Sequence, residues 1–144
     1  MVKTVRDVLR NKGNEVSTVE ADATVLSALE KMAEENIGAL LVMEKGALVG
    51  ILSERDYARK VILQGLSSPM TKVRAIMTQN VCYARPEQTV EECMAVITEK
   101  RCRHLPVFEG DSLVGLVSIG DLVKASIAEK EFIIGQLENY IKSG

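Results

Sequence analysis

Apolar and polar positions alternate along this chain in a pattern that is written twice. Val25, Leu29, Met32 and Ala33 recur at helical spacing behind Thr24, and Val90, Cys93, Met94 and Ile97 do so behind Thr89. A threonine ahead of such a stripe predicts a helix N-cap, and Glu92, three residues after Thr89, predicts a capping box. Each stripe is followed by an apolar run of strand length, "ALLVM" (39–43) and "HLPVF" (104–108). The turns "EKG" and "EGD" then predict tight hairpins into "LVGIL" and "LVGLV". Short strands are predicted to start near Val16 and Val81, and second helices near Ser53 and Ser118. The order is β-α-β-β-α in both halves, with "LQGLSSPMTK" (63–72) as the linker.

Sliding residues 16–62 along by 65 positions gives 13 identities in 47 pairs, against about 3 by chance, so this is an internal repeat. The lead-ins "VRDVL" (5–9) and "VRAIM" (73–77) also match, at an offset of 68. One β-α-β-β-α unit is too small to cover both of its faces, whereas two packed sheet to sheet can do so. The expected fold class is α+β: repeat 1 over 1–66 and repeat 2 over 67–128, related by a pseudo-two-fold axis, then a C-terminal helical extension over 129–144. The apolar tail (Ile127, Ile134, Leu137 and Ile141 at helical spacing, broadened by Phe132, Ile133 and Tyr140) predicts a third helical element over 124–142 that needs a partner surface, on its own unit or across a homodimer.

Composition narrows the function. A net charge of −2 and 3% aromatic residues with no tryptophan argue against a nucleic-acid binder, which needs a basic stripe or stacking platforms. The charged start "MVKTVRDVLRNKG" has no apolar core of a secretory signal, and the longest apolar run, "GALLVM", is too short for a bilayer. Cys82, Cys93 and Cys102 match neither a zinc pattern nor a disulfide framework, so reduced thiols and a cytoplasmic location without membrane attachment are expected.

The candidate chemistry lies in "GILSERD" (50–56) and "GLVSIGD" (115–121). Ser53 with Asp56, and Ser118 with Asp121, sit three apart at strand-to-helix junctions. Capping alone explains such a pair. A ligand explains it too: Gly50 and Gly115 are places where a ligand could approach the backbone, the helix start favours a phosphate, and an ionised carboxylate can accept both hydroxyls of a ribose. The copies differ at the second strand, where Arg103 and His104 stand opposite Gly38 and Ala39 of repeat 1 in the alignment. With Arg101 they form a small cationic cluster. In repeat 1, Arg55 is the nearby cation, and two accounts of it stand level: it covers a phosphate or pairs across a dimer, or it is a surface arginine beside Glu54.

Two registered Gly–apolar–x–Ser–x–x–Asp motifs behind matched strand–helix–strand frames, with "HLPVFEG" and the "AIMT" lead-in, resemble the CBS domain (named for cystathionine β-synthase). The tandem pair resembles a stand-alone Bateman module, and the likeness covers roughly 2–128. It implies a regulatory module binding an adenosine nucleotide between the repeats: AMP or NAD, given so small a basic cluster, with ATP, ADP or S-adenosylmethionine as further candidates. It also implies the site residues. One cleft would draw on Gly50, Ser53, Arg55, Asp56, Thr78, Val81 and Cys82. The other would use Gly115, Ser118, Asp121, Val16, Ser17, Ile37 and Gly38. Arg103 and His104 would reach the phosphates at a strand start that continues into Pro106. A homodimer and a target enzyme or transporter are the expected partners.

Two other classes stay open. An enzyme is disfavoured: "GLVSIG" has Leu116 where a nucleophile elbow needs its first glycine, there is one histidine, no Walker A sequence occurs, and no metal site or catalytic cofactor is expected. A purely structural dimerisation module with empty clefts is opposed only by the two aspartates and the basic cluster.

Overall fold

Threonine side chains start three of the helices in the computed structural model, which describes residues 2–143, with side chains through Glu138. Thr4 caps α1 (Val5–Lys12) in a capping box with Asp7. Thr24 caps α2 (Val25–Glu35) by accepting the Ser27 N–H, and Thr89 with Glu92 boxes α4 (Val90–Lys100). Ser53 caps α3 (Glu54–Asp56), which continues as a π-helical stretch, Tyr57–Ile62, and α5 (Ile119–Ser143) follows Ser118.

The strands are β1 (Thr18–Glu20), β2 (Ala39–Glu44), β3 (Ala47–Ser53), β4 (His104–Glu109) and β5 (Ser112–Ser118). β1 runs parallel to β2, and β2 is antiparallel to β3; β4 and β5 form a hairpin of their own. The hairpin turns use left-handed backbone at Lys45 and Gly46 in one repeat and at Gly110 in the other.

The chain divides into two compact units, and neither is a contiguous repeat. One unit is Val16–Val81. The other combines the N-terminal segment up to Glu15 with the chain from Cys82 onward. Thus the lead-in of repeat 1 serves the core of repeat 2: Val5, Val8 and Leu9 pack with Val90, Leu105, Val117 and Leu122. The lead-in of repeat 2 serves repeat 1, where Val73, Ile76 and Met77 pack with Val25, Leu40, Leu52 and Val61. Each fully buried Val or Leu contributes about 1.5–3 kcal/mol. A polar clamp accompanies each lead-in. Arg6 pairs with Glu87 and Glu109 at 3.0 and 2.6 Å, and Arg74 pairs with Asp22 at 2.9 Å and with Glu44.

Three expectations are corrected. The strand predicted near Val81 is reduced to a single parallel bridge, Ala84 with Val107. In the Val16–Val81 unit the parallel pair is fastened by Leu41 N–H to the Ser17 carbonyl and by Ala21 N–H to the Met43 carbonyl. The matching donors in the second repeat are Pro106 and Pro86, which have no N–H. Only the two bonds of Ala84 remain, to the Pro106 carbonyl and from Phe108 N–H. Next, Ala33 is exposed, and Ala28 takes the place assigned to it on the buried stripe with Val25 and Met32. Last, the tail is no separate element: α5 runs unbroken through it. Its first turns bury Leu122 and Ser126, while Ile127, Phe132, Ile133, Ile134 and Leu137 are exposed. Tyr140 and Ile141 lie outside the residues whose side chains are described.

Candidate functional site

In the Val16–Val81 unit, the strand-to-helix junction is built around Asp56. Its Oδ2 accepts the Ser53 N–H at 3.0 Å and the Ser53 hydroxyl at 3.1 Å, while Asp56 N–H donates to Ser53 Oγ at 3.1 Å. Its Oδ1 accepts the Thr78 hydroxyl at 3.0 Å and lies 3.6 Å from Lys60 Nζ. These donors give both oxygens of the Asp56 carboxylate, which is 9% exposed, hydrogen-bond partners. Thr78 is brought there by its backbone: its N–H donates to the Ile51 carbonyl at 2.8 Å, and its carbonyl accepts the Ile51 N–H at 3.0 Å.

The other unit repeats the box with a different outer partner. Ser118 N–H donates to Asp121 Oδ2 at 2.8 Å, and Asp121 N–H to Ser118 Oγ at 3.1 Å. Lys12, at the end of α1, donates to the same Oδ2 at 2.6 Å and to the Leu116 carbonyl at 2.7 Å. Burial alone would push the Asp121 carboxyl up. The hydrogen bonds from Lys12 and Ser118, with the lysine charge, outweigh it and hold the carboxyl below its ordinary value. Lys12 had no part in the site expected from the sequence. The signal was available: the lead-in match at offset 68 carries residues 5–9 onto 73–77, and extending it brings the end of α1 beside the position of Thr78.

The remaining expected residues group by unit. Val16 and Ser17 lead into β1, and Ile37 and Gly38 lead into β2, at the same end of the sheet as Ser53. The Gly38 carbonyl accepts the Glu54 N–H at 3.0 Å, and Ser17 Oγ donates to Glu35. Arg55 is exposed on the first turn of α3, Thr78 belongs to this unit, and Val81 ends it. In the other unit, Arg103 stands just ahead of β4 and its carbonyl accepts the Ile119 N–H at 2.9 Å; His104 pairs with Ser118 across the hairpin. Arg103 is exposed and His104 is half-buried. Cys82, half-buried, begins the second segment of this unit, and Pro106 is buried within β4.

The two glycines serve a purpose other than the one expected. A Cβ on Gly50 would stand 2.8 Å from the Thr78 carbonyl oxygen and from Met77 Sδ; one on Gly115 would stand 2.7 Å from Leu9 Cδ2. The backbone approached so closely is covered by the lead-in segments, so these glycines admit the chain itself.

A surface depression lined by Asp22, Met43, Glu44 and Arg74 lies at the opposite end of the β1–β2–β3 sheet. Its arginine is already paired with both acids. We therefore place the candidate site at the Ser–Asp junctions. Among the described residues, no cluster of three or more His, Cys, Asp or Glu could hold a metal, and no helix is long and apolar enough to cross a membrane.

The chain belongs to the CBS-domain family, whose profile matches residues 4–62 and 73–128. CBS domain-containing protein CBSX3, mitochondrial, of Arabidopsis thaliana is 40% identical over 98% of this chain and 73% of its own length. A protein with CBS domains from Burkholderia ambifaria MC40-6, described as acting in signal transduction, is 50% identical; the match covers 88% of this chain and 95% of that one, with a TM-score of 0.83. A hexameric CBS-CP12 protein from bloom-forming cyanobacteria is 28% identical, with 85% and 71% covered and a TM-score of 0.77. The CBS-domain pair is commonly a signal-transduction or regulatory module.

Proposed function

We propose that this chain is a regulatory module, without catalysis of its own, that binds an adenosine nucleotide, AMP or NAD, at its Ser–x–x–Asp junctions. One observation carries the proposal. In the unit that contains both Lys12 and Cys82, a half-buried carboxylate, Asp121, is paired with Lys12 at a helix start that the backbone of Arg103 and His104 also meets. A carboxylate suits vicinal ribose hydroxyls, and the cations suit one or two phosphates. A ribose would replace Lys12 at Asp121, releasing the ammonium towards the phosphate. At Asp56 it would have to displace the Thr78 hydroxyl, so the two sites should be unequal. Calorimetric titration of AMP, NAD and adenosine into wild type and Arg103→Ala tests this. Arg103→Ala should weaken AMP at least about tenfold more than adenosine. Equal losses, or no binding of any adenosine compound, would overturn it.

The exposed apolar residues of α5, Ile127, Ile133, Ile134 and Leu137, favour a second reading that is compatible with the first. Such a face suits pairing with another copy, as a C2 dimer. Sedimentation at micromolar concentration decides between a 15.8 kDa monomer and a larger assembly.

A further inference from the structure

The two lead-ins are fastened to their strands in different ways. In the Val16–Val81 unit, the lead-in ending at Thr78 is held to β3 by two backbone bonds with Ile51, and the Thr78 hydroxyl on Asp56 is an addition to them. In the other unit, α1 buries Val5, Val8 and Leu9, but past Leu9 the residues Arg10, Asn11 and Lys12 are exposed. Among the described residues, no backbone bond joins 10–13 to β5. The last turn of α1 is tied down by the Lys12 ammonium, 2.6 Å from Asp121 Oδ2 and 2.7 Å from the Leu116 carbonyl oxygen.

The chemistry of Asp121 makes this tie exchangeable. Its Oδ2 accepts the Ser118 N–H at 2.8 Å as well as the ammonium, which occupies both lone pairs of that oxygen. A ligand diol that engages both carboxylate oxygens must therefore remove one donor. The Ser118 N–H belongs to the helix-start box and stays. The ammonium sits on a flexible stem that is 36% exposed, and it can leave. Because one ammonium makes both contacts, moving it towards a ligand phosphate also strips the Leu116 carbonyl.

We propose that the Lys12–Asp121 pair is a latch that a bound nucleotide opens, so that occupancy of this site is read out as loosening of the last turn of α1. The inference rests on the nucleotide reading above. The ligand favours the open turn because the closed one withholds a lone pair of Oδ2 from it. Beyond that turn the chain is exposed from Gly13 to Glu15 and then enters the other unit, so the released turn leads straight into the connector. The Thr78 lead-in has no such latch: displacing its hydroxyl leaves both backbone bonds to Ile51 in place.

Amide hydrogen exchange on the full chain, with AMP and NAD as probes and calorimetry to establish their binding, tests the latch. Without nucleotide, the Asn11, Lys12 and Gly13 amides should be protected about two- to fivefold less in Lys12→Met than in wild type. A bound nucleotide should lower their protection in wild type towards that of Lys12→Met, lower it no further in the variant, and leave the Thr78 amide unchanged. Equal protection in the two proteins without nucleotide would overturn the latch. So would a nucleotide that binds wild type yet leaves the three amides as protected as before, or more so. The nucleotide reading survives both of those outcomes. No binding heat from AMP or NAD would remove that reading itself, and the latch with it.

Discussion

The single ammonium of Lys12 makes the two contacts that Thr78 makes with separate groups. Thr78 N–H bonds the Ile51 carbonyl and its hydroxyl bonds Asp56; Lys12 Nζ bonds the Leu116 carbonyl and Asp121, at the equivalent positions of the other repeat. The frame is conserved between the repeats while the chemistry changes from a neutral hydroxyl to a charge. Lys12 and Asp121 are 36% and 26% exposed, so their mutual attraction is partly screened. A double-mutant cycle of Lys12→Met and Asp121→Asn, read by urea denaturation, should give a coupling of about 0.5–1 kcal/mol that shrinks in high salt. A coupling of zero at low salt would mean that the pair is geometric only.

Acid should weaken the unit that joins the N-terminal segment to the chain from Cys82 onward through two carboxyls. Asp121 is held below its ordinary value, as is Asp7, chiefly by hydrogen bonds from the Thr4 backbone and side chain. A depressed folded pKa gives stability that is present above the unfolded value, near 4, and is lost as pH falls through the folded value. The thermal midpoint should therefore be insensitive to these groups above about pH 5 and fall below about pH 4. Asp121→Asn should lose stability at pH 7 and show a shallower acid slope. An unchanged slope would remove Asp121 from the account.

The motif glycines should differ in their tolerance of a methyl group. At Gly50 the obstacle is the Thr78 carbonyl oxygen, fixed by its bond from Ile51 N–H; at Gly115 it is the flexible end of Leu9. Gly50→Ala should cost about 1–3 kcal/mol, and Gly115→Ala less, because Leu9 can change rotamer. Chemical denaturation of the two variants checks the order, and the reverse order would show that β3 yields more easily than the Leu9 pocket.

What could be read from the sequence was whatever repeats within about ten residues: the Thr89–Glu92 box, the hairpin turns and both Ser–x–x–Asp boxes are all present. The family resemblance, not spacing, grouped Thr78 with Asp56, and the two side chains meet across 22 residues of sequence. The failures were long-range or subtractive. Nothing local says that α1 completes the other repeat's core, so Lys12 was missed. The two missing proline donors shortened a strand that the apolar pattern still suggested. The motif glycines were read as room for a ligand because the lead-ins that fill that room come from distant sequence.

Asp56 should prove to be a structural anchor as well as a ligand group. From sequence alone, removing a helix-start carboxylate costs a few tenths of a kcal/mol to about one. In the structure, Asp56→Ala strips the Ser53 N–H and the Thr78 hydroxyl of their acceptor and leaves Lys60 without its carboxylate. Leaving part-buried donors unmatched costs about 1–3 kcal/mol. Asp56→Ala should therefore destabilise the Val16–Val81 unit more than Thr78→Val, which removes one donor while keeping the box. Binding separates the two roles. If Asp56 also holds a ribose, Thr78→Val should keep or improve adenosine binding by clearing Oδ1, and adenosine should outcompete its 2′,3′-dideoxy analogue. Equal affinity for the two nucleosides in Thr78→Val, measured by calorimetry at a temperature where the variant is folded, would leave Asp56 with its structural role alone.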